Sequence, residues 1–270
     1  MKTEIIHHRE SDFHDEWASS TKLEEIRVRE SFEALTAMEN AWILQQMGPL
    51  QGKRVLDIGA GLGESSVYFA LQGAEVTTTD LSPKMVELAV KLGALHGVKL
   101  EGLVSAGEEL GVPENHYDIV YSANTLHHVT DRAKFFGQIQ RALKPGGRFF
   151  TWDPLAYNPV IEIYRRMATK VRTADETPLT FADVYLAEKF FDNVEHCEFW
   201  ILTLLLFCKY YLIDRIHPNQ KRYWKLIYEE TPQSLTWWRP LQALDRLLTS
   251  LPLVRRLAWN MAITGSKKKV

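Results

Sequence analysis

The sequence predicts an α/β protein built around a doubly wound, mostly parallel sheet. Short apolar segments alternate with helical segments of about ten to fifteen residues. The first apolar segment ends in a turn with glycine at every second position, residues 59–63, which is typical of a loop that approaches a ligand closely. At 270 residues and 46% hydrophobic composition, the chain can form one substantial core and an added subdomain.

Residues 1–48 are predicted to form an N-terminal lid and a helix. Apolar residues recur at helical spacing over residues 22–47, and Gly48-Pro49 ends the pattern. One amphipathic helix is therefore predicted there. The polar stretch before it contains three histidines, at His7, His8 and His14. We expect these to be solvated side chains of a polar terminus and not metal ligands, although residues 14–17 are candidates for a lid.

Residues 49–154 are predicted to form the ligand-binding core, with five strands and three helices. The predicted strands are residues 55–58, 75–79, 99–104, 117–122 and 148–152. The predicted helices are residues 64–72, 83–96 and 131–143, with a turn at residues 144–147. Ser82 and Pro83 give the second helix a clear start, because serine caps a free N–H group and proline suits the first turn. This alternation implies right-handed crossovers and helices on both faces of the sheet.

Residues 155–270 are predicted to form a helical cap that also supplies the last two strands. Helices are expected at residues 160–171 and 181–191, and strands at residues 194–200 and 257–264. Between these strands lies a segment rich in aromatic residues, leucine and arginine, which we interpret as further helices. Together with the core, the last two strands make a Rossmann-like sheet of seven strands.

Charge and cysteine content bear on the protein's partners and on its cellular location. The chain carries a net charge of −2, but residues 201–270 contain twelve Lys/Arg against four Asp/Glu, an asymmetry that suits a membrane surface or an anionic ligand. Cys197 and Cys208 form neither a disulfide framework nor a metal motif. The first thirty residues lack the apolar stretch of a signal peptide, and residues 199–213 are shorter than a spanning helix of roughly twenty residues. We therefore expect a cytoplasmic protein.

Two acids define the ligand of the glycine loop. Asp57 precedes the loop, and Asp80, at the end of the next strand, can accept both hydroxyls of a ribose. A dinucleotide fingerprint starting at Gly59 would place a small residue where this chain has Glu64, whose carboxylate would repel a diphosphate. We expect acids around the loop with no basic residue nearby. These features favour a cationic nucleoside, such as a sulfonium amino acid joined to adenosine.

Four ordered motifs resemble those of the class I S-adenosylmethionine-dependent methyltransferases. They are VLDIGAGLGES, Asp80, YDIVYSANTLHHV and LKPGGRFF. The resemblance covers about residues 51–154 and is greatest to the branch that includes ubiquinone/menaquinone and sterol C-methyltransferases. It implies S-adenosylmethionine as the cofactor and S-adenosylhomocysteine as the product.

The resemblance also implies the residues that contact the donor. They are Asp57, Gly59, Gly61, Gly63, Asp80, Leu81, Gly107 and Asn124. The glycines would line the methionine part, with Asp57 under the loop, and Leu81 would lie against the adenine. Relatives usually have an acid followed by a small residue near the adenine amino group, but this chain has Ala106-Gly107. The backbone of Gly107 can still donate to the ring, while Asn124 would contact the amino acid end or shape its loop.

Methyl transfer from a sulfonium is an in-line displacement, so the protein mainly aligns the reactants and excludes water. A general base is needed only if the acceptor must lose a proton. His127 and His128 follow the fourth strand and are the candidate bases, with packing or loop bonding as the alternative role. Asp153 and Tyr157 are candidate acceptor-side residues, and a turn is the alternative for Asp153-Pro154.

The cap gives the only signal for the acceptor. Five of the eight tryptophans lie in it, at Trp200, Trp224, Trp237, Trp238 and Trp259. Tryptophan mixed with arginine suits either a lipid headgroup interface or a helical lid over an apolar pocket. Both favour a hydrophobic small-molecule or lipid-like acceptor. Nucleic acid is disfavoured, because the basic residues are interleaved with leucine and tryptophan and no recognition motif is present.

Two other functions remain open from the sequence. A nicotinamide-dependent dehydrogenase is disfavoured by Glu64 and by the lack of a convincing catalytic Lys or Tyr pair. A non-catalytic nucleoside-binding protein on the same fold would bind the donor without turnover. The oligomeric state cannot be predicted from these patterns.

Overall fold

A mixed seven-stranded sheet forms the centre of the computed structural model, which describes residues 2–173 and 175–269. Its strand order is β3-β2-β1-β4-β5-β7-β6. The strands are β1 Arg54–Ile58, β2 Glu75–Asp80, β3 Leu100–Val104, β4 Tyr117–Ala123, β5 Leu143–Pro154, β6 Asp192–Phe199 and β7 Asn260–Ser266. The first five strands are parallel neighbours, whereas β7 is antiparallel to both β5 and β6. The predicted fold class is confirmed.

Helices flank the sheet and build the cap. They are α1 Lys2–Ser20, α2 Glu30–Glu33, α3 Met38–Met47, α4 Glu64–Leu71, α5 Pro83–Leu95, α6 Arg132–Ala142, α7 Pro159–Met167, α8 Phe181–Ala187, α9 Leu205–Cys208, α10 Tyr223–Leu226 and α11 Trp238–Thr249. Short 3₁₀ turns occupy Leu23–Glu25, Leu126–His128, Ile227–Glu229 and Val254–Leu257, and a π-helix occupies Lys209–Ile213. Among the described residues, no helix combines the length and apolar character needed to span a membrane.

Strand β1 shows why the sheet is covered on both faces. Val55 packs in a cluster with residues of α4 and α5, while Leu56 and Ile58 belong to a second cluster with residues of α6. All three side chains are at most 1% exposed. Side chains alternate across a strand, so a continuous apolar segment of this kind needs a helical layer on each side.

The N-terminal region differs from the prediction. The polar stretch forms α1, which packs on α5 through Asp15: its Oδ1 accepts from the Ser82 hydroxyl at 2.5 Å and from the Lys84 N–H at 3.2 Å. The prediction of a single helix over residues 22–47 is wrong, because the backbone is extended at Ile26 and at Ala34. Buried long-range bonds stabilise these breaks, as where the Thr36 hydroxyl donates to a cap carbonyl at 2.6 Å.

The predicted turn at residues 144–147 is also different in the structure. Strand β5 runs through it, and the register with β4 shifts between the pairs Tyr117 with Leu143 and Ile119 with Arg148. Gly146 adopts a φ of +78° there, a conformation that glycine adopts without steric cost. The glycines therefore form a bulge within a longer strand instead of ending a loop.

The cap has an aromatic core of its own. Trp200, Trp238 and Trp259 are at most 6% exposed and pack with Phe207 and Tyr223. These tryptophans are core residues of the cap and cannot contact a membrane surface. The division of the chain at residues 48 and 154 stays a proposal.

Candidate functional site

A cavity of about 250 Å³ lies beyond the carboxyl ends of β1, β2 and β4. This volume is several times the roughly 30 Å³ that one water occupies in the liquid. Its walls come from the glycine loop, from α1 and from the cap. Crevices at this edge of an open α/β sheet are where such folds bind ligands.

The glycine loop is shaped by close backbone approach. A side chain at Gly59 would lie 2.3 Å from the Thr125 hydroxyl, while one at Gly61 would meet no atom within 4 Å. Both residues have positive φ and line the cavity. Gly63 instead packs against Ala89, which a Cβ would approach to 2.6 Å. Gly63 therefore brings α4 close to α5 and does not line the methionine site as predicted.

Asp80 holds the loop and keeps capacity for a ligand. Its Oδ2 accepts from the Gly61 N–H at 2.9 Å and its Oδ1 accepts from the Ser82 N–H at 2.9 Å. Each carboxylate oxygen can accept a further hydrogen bond, which suits two neighbouring hydroxyls. Leu81 and Gly107 also line the cavity.

Asp57 lies under the loop and is only half satisfied. Its Oδ2 accepts from the hydroxyls of Ser65 and Ser66 at 2.5 and 2.7 Å. Its Oδ1 is buried and has no hydrogen-bond partner among the described residues. Burial raises the pKa of Asp57 to about 6, against the lowering effect of the serine hydrogen bonds. A buried carboxylate of this kind suits a cationic ligand group.

One basic residue reaches the loop from the cap. The Lys225 Nζ lies 2.5 Å from Glu64 Oε1, and both side chains line the cavity. The expectation of acids without a nearby cation is therefore wrong, because the partner is 161 positions away in sequence. The ion pair neutralises Glu64 and connects the cap to the donor loop.

His127 and Asp153 form a buried pair beside the loop. His127 Nδ1 lies 2.7 Å from Asp153 Oδ1, which also accepts the His127 backbone N–H at 3.1 Å. Asp153 Oδ2 accepts from the Thr151 hydroxyl. Burial lowers the pKa of His127 well below its ordinary value, so its ring is neutral. With Nδ1–H assigned as the donor to Asp153, Nε2 is left with a free lone pair.

His128 faces a carboxylate from α1. Its Nδ1 lies 3.2 Å from Glu10 Oε2, and the same oxygen lies 3.7 Å from His14 Nε2. Burial opposes ionisation of Glu10, but His128, His14 and Thr173 hold the pKa of its carboxyl below the usual range. Glu10 is therefore an anion that positions both imidazole rings.

Two sets of side chains in the cavity have the composition of metal ligands. They are Glu10, His14 and His128, and His127, His128 and Glu176, with the ligand atoms of each set within 4.8 Å of one another. The sequence interpretation placed His14 in a solvated terminus, whereas α1 holds it 23% exposed against the cavity. The ion pair with Glu10 accounts for the first set without a metal.

The remaining predicted site residues differ in whether they line the cavity. Asn124 lines the cavity and has a φ of +51°. Asp153 is fully buried and acts through His127, so it cannot contact an acceptor directly. Tyr157 lies outside the cavity: it is 39% exposed and stacks on Phe181 with 6.3 Å between ring centroids. An acceptor contact for Tyr157 is therefore not supported by its position.

Several cavity residues were not predicted from the sequence, although residues 14–17 of α1 were lid candidates. The residues not predicted are Glu10, Phe13, Arg165, Arg172, Glu176 and Lys225. Within α1 a signal was present, because residues 10, 13, 14 and 17 have the i, i+3, i+4, i+7 spacing of one helix face. For the cap residues no local pattern exists, since they meet the core only through the fold.

The strand order and the site together define a class. A parallel sheet whose antiparallel β7 lies between β5 and β6, with a glycine loop after β1 and an acid at the end of β2, defines the class I S-adenosylmethionine-dependent methyltransferases. Residues 56–151 match the family model described as a methyltransferase domain. This chain carries a methyltransferase domain of that class, as the motifs predicted.

Curated relatives agree with this assignment. The chain is 37% identical over 127 residues to the ubiquinone biosynthesis O-methyltransferase of Bordetella bronchiseptica, covering 47% of this chain and 52% of that protein. It is 35% identical over 127 residues to the ubiquinone/menaquinone biosynthesis C-methyltransferase of Psychromonas ingrahamii, covering 43% and 49%. The chain thus spans about half the length of the curated relatives it matches.

Solved structures share the fold over more of the chain. A Haloferax volcanii chain solved with the Trm112 methyltransferase activator aligns with a TM-score of 0.60 at 17% identity, covering 94% of this chain and 97% of that one. A Haemonchus contortus phosphoethanolamine N-methyltransferase 2, solved with phosphomonomethylethanolamine and S-adenosylhomocysteine, aligns with a TM-score of 0.57 at 21% identity, covering 86% and 53%. At these identities the likeness concerns the fold alone.

The state of Asp57 gives a prediction for donor binding. Because the pKa of Asp57 is raised to about 6 in the free protein, the carboxylate is ionised above that pH and protonated below it. The affinity for S-adenosylmethionine should therefore fall as the pH drops through about 6, and binding near that pH should release protons. Calorimetric titration in buffers of different ionisation enthalpy measures both effects.

Adenosine is the matched control, because it has the ribose and base but no cationic amino acid. Its affinity should stay constant over the same pH range. An equal loss of affinity for adenosine would show that Asp57 is not the group that senses the donor's charge.

Proposed function

We propose that this protein transfers the methyl group of S-adenosylmethionine to a hydrophobic small-molecule or lipid-like acceptor. The carrying observation is that the glycine loop, His127 and aromatic side chains of the cap line one cavity, with Asp153 buried behind His127. Such a closed, mixed site excludes water and holds two reactants together. The relatives are named as ubiquinone biosynthesis O-methyltransferases, which supports a small-molecule acceptor here.

The residues present fit the donor. The free Oδ1 of Asp57 would accept a cationic group, and both oxygens of Asp80 would accept the ribose hydroxyls. The open approach at Gly61 leaves room for the ligand beside the loop. When bound, S-adenosylmethionine supplies a methyl group that its sulfonium already activates.

His127 is the base that the geometry favours. Asp153 fixes the ring through Nδ1, and burial keeps the imidazole neutral, so Nε2 can accept the proton of an acceptor hydroxyl or amine. His128 is held by Glu10 at Nδ1, and we assign it to shaping the cavity. Once Nε2 has accepted the acceptor's proton, His127 is an imidazolium, which the neighbouring Asp153 carboxylate would stabilise.

The acceptor end of the cavity is lined mainly by apolar and aromatic side chains from the cap. They are Ile161, Tyr164, Val171, Trp224, Tyr228 and Trp259. Aromatic walls bind flat or extended apolar groups well because they bury a large area at low conformational cost. This lining supports a hydrophobic acceptor.

The other enzyme class fits the fold poorly. The dinucleotide-binding sheet has the order 3-2-1-4-5-6, whereas here the antiparallel β7 is inserted between β5 and β6. A nicotinamide-dependent dehydrogenase is therefore not supported. A non-catalytic nucleoside-binding protein would share the donor site and is distinguished by turnover.

A peripheral membrane contact is a second proposal, which an exposed apolar ridge on the cap supports. Leu247, Leu251 and Leu253 are 63%, 48% and 79% exposed. Arg239, Arg246 and Arg256, which are close to these leucines in sequence, are also exposed. Leucine flanked by arginine suits the surface of an anionic membrane. We propose a cytoplasmic location, since Cys197 and Cys208 are both free.

A labelled donor tests the reaction directly. The protein is incubated with methyl-labelled S-adenosylmethionine and a cell extract of lipids and metabolites, and the labelled product is identified. We expect label in an apolar small molecule or a lipid. Asp80→Ala should bind the donor roughly 10- to 100-fold more weakly, because it loses hydrogen bonds to a charged group, whereas the exposed Asp192→Ala should behave as the unmodified protein.

Unchanged donor affinity in Asp80→Ala would overturn the assigned donor site. Label found only in protein or RNA would exclude the hydrophobic acceptor. Donor binding without any labelled product would favour the non-catalytic alternative.

The base is tested with the acceptor that this experiment identifies. His127→Gln should lower kcat by about 10²-fold, which is the low end for losing a general base, and should leave the donor affinity unchanged. The control is His96→Gln, because His96 is an exposed histidine at the C-terminal end of α5. A kcat within a few-fold of the unmodified protein would show that His127 acts only in packing.

Membrane contact is tested by sedimentation with vesicles. Vesicles containing phosphatidylglycerol should bind the protein, and Leu247→Asp with Leu253→Asp should reduce the bound fraction several-fold, since two apolar anchors become like-charged with the lipid. Leu95→Asp, a leucine of α5 that is 56% exposed, is the matched control. Equal binding of both variants would reject the ridge as the contact surface.

A further inference from the structure

Two arginines of the cap are buried in the acceptor end of the cavity. Arg165 lies on α7 and Arg172 in the loop that follows it, with side chains 12% and 15% exposed. Removing a guanidinium from water is unfavourable unless an anion matches its charge. The anions around the pair therefore show what the site is built to bind.

The surrounding carboxylates match the pair only in part. Glu176 contacts Arg172 directly and lies 3.7 Å from Arg165 Nη2. Glu162 is 3.0 Å from Arg165 Nη1, but its side chain is 43% exposed. One buried carboxylate thus serves two guanidinium groups. Burial and the charge of Arg165 lower the pKa of Arg172 to about 10.

Two hydrogen-bond donors in this wall remain unused. The Arg165 Nη2 and the Tyr164 hydroxyl are buried and have no hydrogen-bond partner among the described residues. Tyr164 is 8% exposed, and both side chains line the cavity. Buried polar atoms are nearly always paired, so unpaired neighbours in a cavity wall point to a bound group with several acceptor oxygens.

We propose that the methyl acceptor carries an oxyanion, a carboxylate or a phosphate, which Arg165, Arg172 and the Tyr164 hydroxyl bind. This inference rests on the proposed function and adds the chemical class of its acceptor: an apolar body with one acidic group. Guanidinium groups bind such oxyanions through paired hydrogen bonds. Glu176, which contacts both arginines, also lies 3.8 Å from His127 Nε2, so the oxyanion site is next to the base.

Simple probes test the site without knowledge of the natural acceptor. The protein is first saturated with S-adenosylhomocysteine, and then benzoate, phenyl phosphate and benzamide are titrated calorimetrically. The three probes share a phenyl ring, and benzamide has no charge. We expect benzoate or phenyl phosphate to bind at least tenfold more tightly than benzamide, and the tighter of the two identifies the oxyanion.

Variants locate the binding to these residues. Arg165→Gln should weaken the anionic probe at least tenfold, and Tyr164→Phe should weaken it several-fold while removing only one hydroxyl. Neither change should alter benzamide. Arg166→Gln is the control, because Arg166 is the exposed neighbour on the same helix. Retained affinity for S-adenosylhomocysteine shows that each variant is folded.

The outcomes separate this inference from the proposed function. If S-adenosylhomocysteine does not bind the unmodified protein, both fail. If it binds but benzamide binds as well as the anionic probes, or no anionic probe binds, the oxyanion site alone is wrong. The same holds if Arg165→Gln and Arg166→Gln give equal affinities.

Discussion

The hydrogen bond from the Gly61 N–H to Asp80 is the interaction on which the site depends. It joins the loop after β1 to the end of β2, and its acceptor is charged, so it contributes on the order of 1.5–3 kcal/mol. Asp57 supports the same loop from below through Ser65 and Ser66 of α4. The two carboxylates thus set the loop's path, and each keeps an acceptor position for a ligand that the chain itself does not fill.

The donor half of this site could be predicted because it is local in sequence. Gly59, Gly61 and Asp80 are placed by a strand, a tight turn and the next parallel strand, whose geometry is nearly invariant. The predictions that were wrong depend on contacts between residues far apart in the sequence. The breaks at Ile26 and Ala34 and the bulge near Gly146 depend on contacts with distant strands and with the cap, which periodicity along the chain does not record.

The composition of a region also does not show which of its side chains are buried. The arginine and tryptophan of the last 71 residues suited either a lipid surface or a lid over an apolar pocket. In the structure Trp200 and Trp238 are fully buried, whereas Leu253 is exposed. The basic residues also divide: Lys225 reaches the donor loop, while Arg246 stays in solvent. The electrostatic character of the cavity therefore follows from which cations the fold encloses and not from how many the region contains.

The family match includes only part of the residues that form the cavity. The matched residues 56–151 include the donor loop, Asp80 and both histidines of the base region. Other residues that line the cavity lie outside them on both sides, with Glu10 and Trp17 from α1 and Arg165 and Arg172 from the cap. A protein can therefore keep the donor chemistry while its N-terminal helix and cap change the acceptor. For this chain the acceptor must be inferred from those enclosing residues, which the family match does not include.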